Sequence, residues 1–153
     1  DSQLSRVLGD VYKRQQHLET QFDQKEFLLS ADNLITAARA SGETREEFLD
    51  PDNENFQATP AFLCSLASGS TLPIDFPSLG GIPMDGGKAV EIKAPVQPDI
   101  KLTGKTRLHE IYDKKGRSGR MIFIVVRMDL YNDEEQLLAT TDSRLVIREK
   151  PDS

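Results

Sequence analysis

Few side chains in this sequence are equipped for covalent or proton-transfer chemistry. Cys64 is the only cysteine, and His17 and His109 are the only histidines. A thiol nucleophile needs a base beside it, and no histidine is placed by spacing to serve. Cys64 lies in the run Ala61-Phe62-Leu63-Cys64, where a cysteine acts as a small buried hydrophobe. A single cysteine excludes an internal disulfide and a multi-cysteine zinc site, and no metal site is expected. The carboxylates are the other candidates. Between Glu43 and Glu54, six acids (Glu43, Glu46, Glu47, Asp50, Asp52, Glu54) face one base, Arg45, a net of −5. From Lys114 to Arg127 the balance reverses, with Lys114, Lys115, Arg117, Arg120 and Arg127 and no acid. Such a cluster suits an anionic ligand, and arginine suits bidentate phosphate contact. Both clusters also read as ordinary solvated loops.

The whole chain has 153 residues, with 19 Lys plus Arg against 25 Asp plus Glu, a formal charge of −6. An acidic chain is a poor general binder of nucleic acid or of anionic membrane. Apolar residues make up 37%, enough for one modest core at this length. No apolar run approaches the roughly 20 residues of a membrane-spanning helix, and no signal-peptide core opens the chain. The expectation is one cytoplasmic domain.

The elements that must position these residues follow from periodicity. Val7-Leu8-Gly9-Asp10-Val11-Tyr12-Lys13-Arg14-Gln15 resembles a translated adapter peptide, so residues 1–15 are expected to be foreign and to pack poorly. His17 to Gln24 reads as a loose helix, which makes residues 1–24 a non-core extension. Glu26 to Leu29 reads as a strand. Ser30 is a good N-cap, Leu34, Ile35 and Ala38 recur at helical spacing, and Gly42 stops the run, which predicts a helix over 31–41. Thr59-Pro60 starts a second helix over 60–68, apolar nearly all round and therefore expected to be the most buried. Residues 69–87, rich in Gly and Pro, read as a long functional loop. Strands are expected at 89–94, 101–112, 120–131 and 137–148, joined at the end by tight turns into an antiparallel meander. The fold class is α+β, a curved antiparallel sheet wrapped around a central buried helix.

Several segments, in this order and spacing, carry a family resemblance: Ala38-Arg39-Ala40-Ser41-Gly42-Glu43, Gln57-Ala58-Thr59-Pro60-Ala61-Phe62-Leu63, Asp85-Gly86-Gly87, Pro95-Val96-Gln97-Pro98-Asp99, Lys115-Gly116-Arg117-Ser118-Gly119 and Leu138-Ala139-Thr140-Thr141. Together they resemble the MaoC-like dehydratase N-terminal domain over residues 25–149. The resemblance implies a hot-dog fold, pairing with a second hot-dog domain or subunit, and binding of acyl thioesters of coenzyme A or acyl carrier protein. It implies no cofactor.

Active members of that family carry an Asp and a His five positions apart. The stretch Gly42-Glu43-Thr44-Arg45-Glu46-Glu47-Phe48-Leu49-Asp50-Pro51 resembles their catalytic segment, with Glu43 at the Asp position, Phe48 at the His position and Arg45 at the Asn position. Phe48 can neither give nor take a proton. The resemblance therefore implies a non-catalytic, acyl-thioester-binding half of an enoyl-thioester hydratase or 3-hydroxyacyl dehydratase. Residues 150–153 then form a tail or the start of a linker to a second copy. The candidate acyl-tunnel wall is Phe48, Phe62, Leu63 and Leu66. Gly86 and Gly87 offer close backbone approach. Lys114, Lys115, Arg117 and Arg120 are candidates for the phosphates of coenzyme A or the acidic face of a carrier protein. The alternative is a self-sufficient hot-dog thioesterase, with Glu43 or Glu47 directing water. His109 falls midway along an expected strand and reads as structural.

Overall fold

A computed structural model describes residues 18–76, 81–117 and 119–148, together with Gly9. The expected foreign segment 1–15, apart from Gly9, and the tail 150–153 lie outside the described residues.

Five antiparallel strands form one sheet: β1 (Gln21–Leu28), β2 (Ile82–Ile92), β3 (Lys101–Gly116), β4 (Gly119–Tyr131) and β5 (Leu137–Arg148), in the order β1-β3-β4-β5-β2. Among residues 18–76, three helices precede β2: α1 (Ala31–Ala40), α2 (Glu46–Leu49) and α3 (Pro60–Cys64). This is the α+β hot-dog arrangement, with the helices packed on one face of a curved antiparallel sheet. Alternation along β3 sets that face. Leu102, Gly104, Thr106 and Leu108 are buried, while Lys101, Thr103, Lys105 and Arg107 point the other way. The opposite face is a charged lattice. Arg107 pairs with Asp129, and Arg127 with Asp142 through two bonds of 2.7 and 2.9 Å.

Capping explains where the helices start. Asn33 N–H donates to Ser30 Oγ at the head of α1, and Phe62 N–H donates to Thr59 Oγ1 at the head of α3. Each matches the start expected from sequence.

Three expectations need correction. First, α3 is five residues long and is not the most buried helix. Only Leu63 is buried in it; Phe62 and Leu66 are partly buried and Ala61 is exposed. The deepest helix is α1, where Leu34 is 1% and Ala38 0% exposed. The run after Cys64 is Ser65-Leu66-Ala67-Ser68-Gly69-Ser70, in which serines compete for backbone partners. The Ser65 hydroxyl donates back to Phe62 O and Ser68 Oγ to Ser70 O. β1 then holds the extended chain, with Lys25 Nζ donating to Ala67 O and Gly69 N–H to Asp23 Oδ2.

Second, the expected loop over 69–87 ends early, because β2 begins at Ile82 and pairs with β5 from Ile82↔Arg148 onward. Pro83 is tolerated because β2 is an edge strand. Gly86 and Gly87 form a bulge, where the register shifts between Asp85 and Lys88 and Gly87 has φ +103°. Third, the loose helix expected over 17–24 is largely strand. β1 starts at Gln21, and Leu18 and Phe22 pack against a core cluster with Leu108, Ile111 and Ile124. The folded unit thus reaches back past residue 25.

Replacing Leu34 with Ala leaves a hole beneath α1 and is expected to cost about 3 kcal/mol in urea unfolding. Ile74→Ala, at a fully exposed side chain, is expected to stay within about 0.5 kcal/mol.

Candidate functional site

The segment Gly42–Pro51 starts from a helix end. Gly42 adopts φ +76°, its N–H donates to Arg39 O, and Glu43 N–H donates to Ala38 O. This left-handed stop turns the chain sharply after α1 and leads directly into Glu43. A side chain with a Cβ would be strained at Gly42.

Glu43 then closes on its own loop. Its Oε1 accepts the backbone N–H groups of Thr44 and Arg45, each at 3.2 Å. Arg45 donates from Nε to Oε1 at 2.9 Å and from a terminal nitrogen to Oε2 at 3.1 Å. The Arg45 guanidinium and backbone together hold the Glu43 carboxyl down at about 2, well below the ordinary carboxylate range. A carboxylate so fully engaged is a weak base near neutral pH. Glu47 lies 3.9 Å from the same guanidinium.

Phe48, the sixth residue counted from Glu43, is buried at 6% exposure in α2, with the Arg45 guanidinium 4.7 Å above its ring. Arg45 therefore satisfies Glu43 with its edge and covers Phe48 with its face. Phe48 packs as core and borders neither of the cavities described below. His109, at the bulge where the β3–β4 register shifts, bonds through Nδ1 to Glu19 at 2.7 Å, a local tether far in sequence from residues 42–51. Cys64 is partly buried at the end of α3.

The other candidate residues fall in three places. Leu63 is fully buried in the core with Leu34, Leu102 and Leu130, and Phe62 packs at its margin. Leu66 borders a cavity of about 160 Å³ between the 66–71 segment and the sheet. Beside it lies a larger cavity of about 370 Å³, whose walls include Leu72, Pro83, Met84 and Leu145. Gly86 owes its missing side chain to β5, since a Cβ there would come within 2.5 Å of Val146 Cγ2. Gly87 faces open space. Lys115 and Arg117 are exposed at the β3–β4 turn, and Arg120 Nε sits 3.5 Å from Asp113. Lys114 Nζ lies 5.7 Å from the Tyr112 ring and 5.6 Å from Phe123, two rings stacked at 4.7 Å. Six residues of β4 separate Arg120 from Val126 in the cavity wall, about 20 Å along a strand. The structure thus brings Leu66 to a cavity, leaves the basic turn at the far end of the sheet, and keeps Phe48 with Arg45.

The inner-face polar residues beside the cavity, Thr106, Thr141, Ser143 and Lys88, escape a reading based on motifs. Their signal was available in the strand alternation, where a hydroxyl occupies an inward position between Gly104 and Leu108.

This arrangement defines a hot-dog domain, and comparison with known proteins agrees. A model described as "FAS1-like, dehydratase domain region" matches residues 16–141, and the chain belongs to that family. Its fold is also that of MaoC-like dehydratases. A chain of the ChsH1-ChsH2 complex from Mycobacterium tuberculosis superposes with a TM-score of 0.69 at 15% identity, covering 98% of this chain and 95% of that one. A chain of the HadBC (3R-hydroxyacyl-ACP dehydratase) complex from the same organism gives 0.61 at 18%, covering 84% and 99%. A MaoC-like dehydratase from Phytophthora capsici gives 0.63 at 22%, covering 86% of this chain and 48% of that one. No protein of curated function matches the sequence.

In an NMR titration the Glu43 carboxyl is expected to protonate near pH 2, and Arg45→Ala to return it toward 4.5. The folded value is depressed, so the stabilisation from this pair is complete above the unfolded pKa. It is lost as pH falls through the folded value.

Proposed function

We propose that this chain is the non-catalytic, acyl-thioester-binding half of a hot-dog hydratase or dehydratase, completed by a second hot-dog domain carrying an Asp/His pair. The observation that carries this reading is the closed Glu43–Arg45–Phe48 unit. Adding water across an enoyl thioester requires a base for the water and an acid for the α-carbon. Here the carboxylate is spent on Arg45 and a buried phenyl ring occupies the other position. The same ion pair weighs against a self-sufficient thioesterase that uses Glu43 as base.

The sheet edges support a partner. β1 is tied to the 67–69 segment through Asp23 and Lys25. β2, the other edge, leaves Ile82 45% exposed, with Met84 and Ile92 also exposed. We assign the partner hot-dog to β2. Two of the structural neighbours are themselves described as complexes. The acyl group is assigned to the cavities under residues 66–72, and the phosphates of coenzyme A or a carrier-protein face to Lys115, Arg117 and Arg120.

The chain alone is expected to give no turnover of crotonyl-CoA, followed by loss of the enoyl absorbance. Activity should appear with a hot-dog partner bearing Asp and His five positions apart, and vanish when the partner's His is replaced. Robust turnover by the single chain, abolished by Glu43→Gln, would overturn the reading in favour of a self-sufficient enzyme, and release of free thiol would mark that enzyme as a thioesterase. Replacing both Arg117 and Arg120 with Ala should weaken binding of acyl-CoA more than of acyl-pantetheine. Added salt should narrow the gap, since exposed charges are screened over about 10 Å at 0.1 M. Equal losses for both ligands would remove the turn from the site.

A further inference from the structure

The inner face of the sheet is not one continuous core. One apolar cluster gathers Leu34, Leu63, Leu102, Leu130 and Ala139, and a second gathers Leu108, Ile111, Ile122, Ile124 and Ile147. Between them the strand register sets two cross-sheet rows. The first runs Asp23–Thr106–Met128–Thr141–Val90, and the second Leu108–Val126–Ser143–Lys88. Directly paired residues share a face, so these rows lay three hydroxyls and an ammonium group across the middle of an apolar surface.

The cavity of about 160 Å³ lies over this band. Thr106, Thr141, Ser143 and Lys88 border it from the sheet, and Ser68 and Thr71 from the covering segment. Thr106 is 0% exposed, and among the described residues its Oγ1 has no hydrogen-bond partner. Buried hydroxyls are almost always paired, and leaving one unpaired is costly, so this one calls for a partner from outside the chain. Among the described residues Lys88 Nζ reaches only Ser143 Oγ, at 3.4 Å. The two rows hold one charge of each sign, Asp23 beside Thr106 and Lys88 beside Ser143, which suits a neutral group over a carboxylate. The adjoining larger cavity, walled by Leu72, Pro83, Met84 and Leu145, shares Ser68, Thr71, Lys88, Val126 and Ser143 with the smaller one. Its wall is largely apolar and also carries Asp85 and Arg144, one charge of each sign, on the way to the polar end.

We propose that this cavity selects acyl chains bearing a neutral oxygen, a hydroxyl or keto group, remote from the thioester, and that Thr106 Oγ1 bonds that oxygen. The proposal rests on the acyl-thioester reading above for its ligand class, but the hydroxyl band exists independently of it.

The test uses the whole chain, with methyl NMR of Thr106 and Thr141 and calorimetric titration. The probes are unsubstituted acyl-CoAs from butyryl to decanoyl, their ω-hydroxy counterparts, and 1-pentanol alone. At the best chain length the hydroxy form is expected to bind about 5–10-fold tighter, the worth of about one net hydrogen bond. Thr106→Val, nearly isosteric, should erase that preference while raising the melting temperature. Ser143→Ala, a second variant, should reduce the preference with the fold intact. Equal binding of unsubstituted and hydroxy forms, unchanged by Thr106→Val, would sink this proposal and leave the thioester reading standing. Binding of pentanol with a Thr106 methyl shift, but of no acyl-CoA, would keep the polar subsite and remove the thioester reading. No methyl shift with any probe would mean that the cavity holds water only, and both would fall.

Discussion

The carboxylate of Asp23 accepts the amide of Gly69 at 2.8 Å, across 46 residues of chain. Much of this fold depends on that bond and its neighbour, Lys25 to Ala67 O. The sheet presents a wide inner face, and α3 stops at Cys64 before it has crossed that face. An extended segment must then seal what a longer helix would have covered. Extended chain lacks internal hydrogen bonds, so the edge strand must supply them. The fit is close, because a Cβ at Gly69 would come within 2.8 Å of Asp23 Oδ1.

A roof made of extended chain has consequences beneath it. A helix packed on a sheet fills the space between them with side chains at close to crystal density. Residues 65–71 are mostly serine, alanine, glycine and threonine, with Leu66 as the one large side chain. Small side chains leave volume, and the two adjoining cavities lie there. The inward hydroxyls of β3 and β5 would be poor packing partners for an apolar helix. Beneath a thin polar roof they can meet a ligand.

At the other end of α1 the chain follows a different logic. Gly42 turns the backbone, Glu43 caps the loop, and Arg45 spans Glu43 and Phe48. Arg45 thus does two jobs with one planar group, an in-plane fork on a carboxylate and a face laid on an aromatic ring, which a lysine could not combine. The result is a loop whose charged groups satisfy one another. The charge of Glu43 has thereby found a local partner.

Much of this was legible in the residues themselves. Ser30, Gly42 and Thr59-Pro60 mark helix ends through local backbone chemistry, and local chemistry does not need the rest of the fold. The alternation Ile122, Ile124, Met128, Leu130 marks a strand with one buried face for the same reason. That Phe48 takes no part in proton transfer is also readable, since a phenyl ring has no proton to exchange in any surroundings. The length of α3 was not legible, because its apolar run is helical by pattern and ends only where β1 offers better partners to Ala67 and Gly69. Nor was the strand character of residues 82–87. Pro83 and the Gly86-Gly87 pair look like loop until an edge position and a bulge accommodate them. Nor could spacing show that Thr106, Thr141, Ser143 and Lys88 converge, for they sit on three strands separated by up to 55 residues. Caps, periodicity and side-chain chemistry are properties of short segments. Convergence of distant hydroxyls on one cavity is a property of register, and register exists only once the sheet has formed.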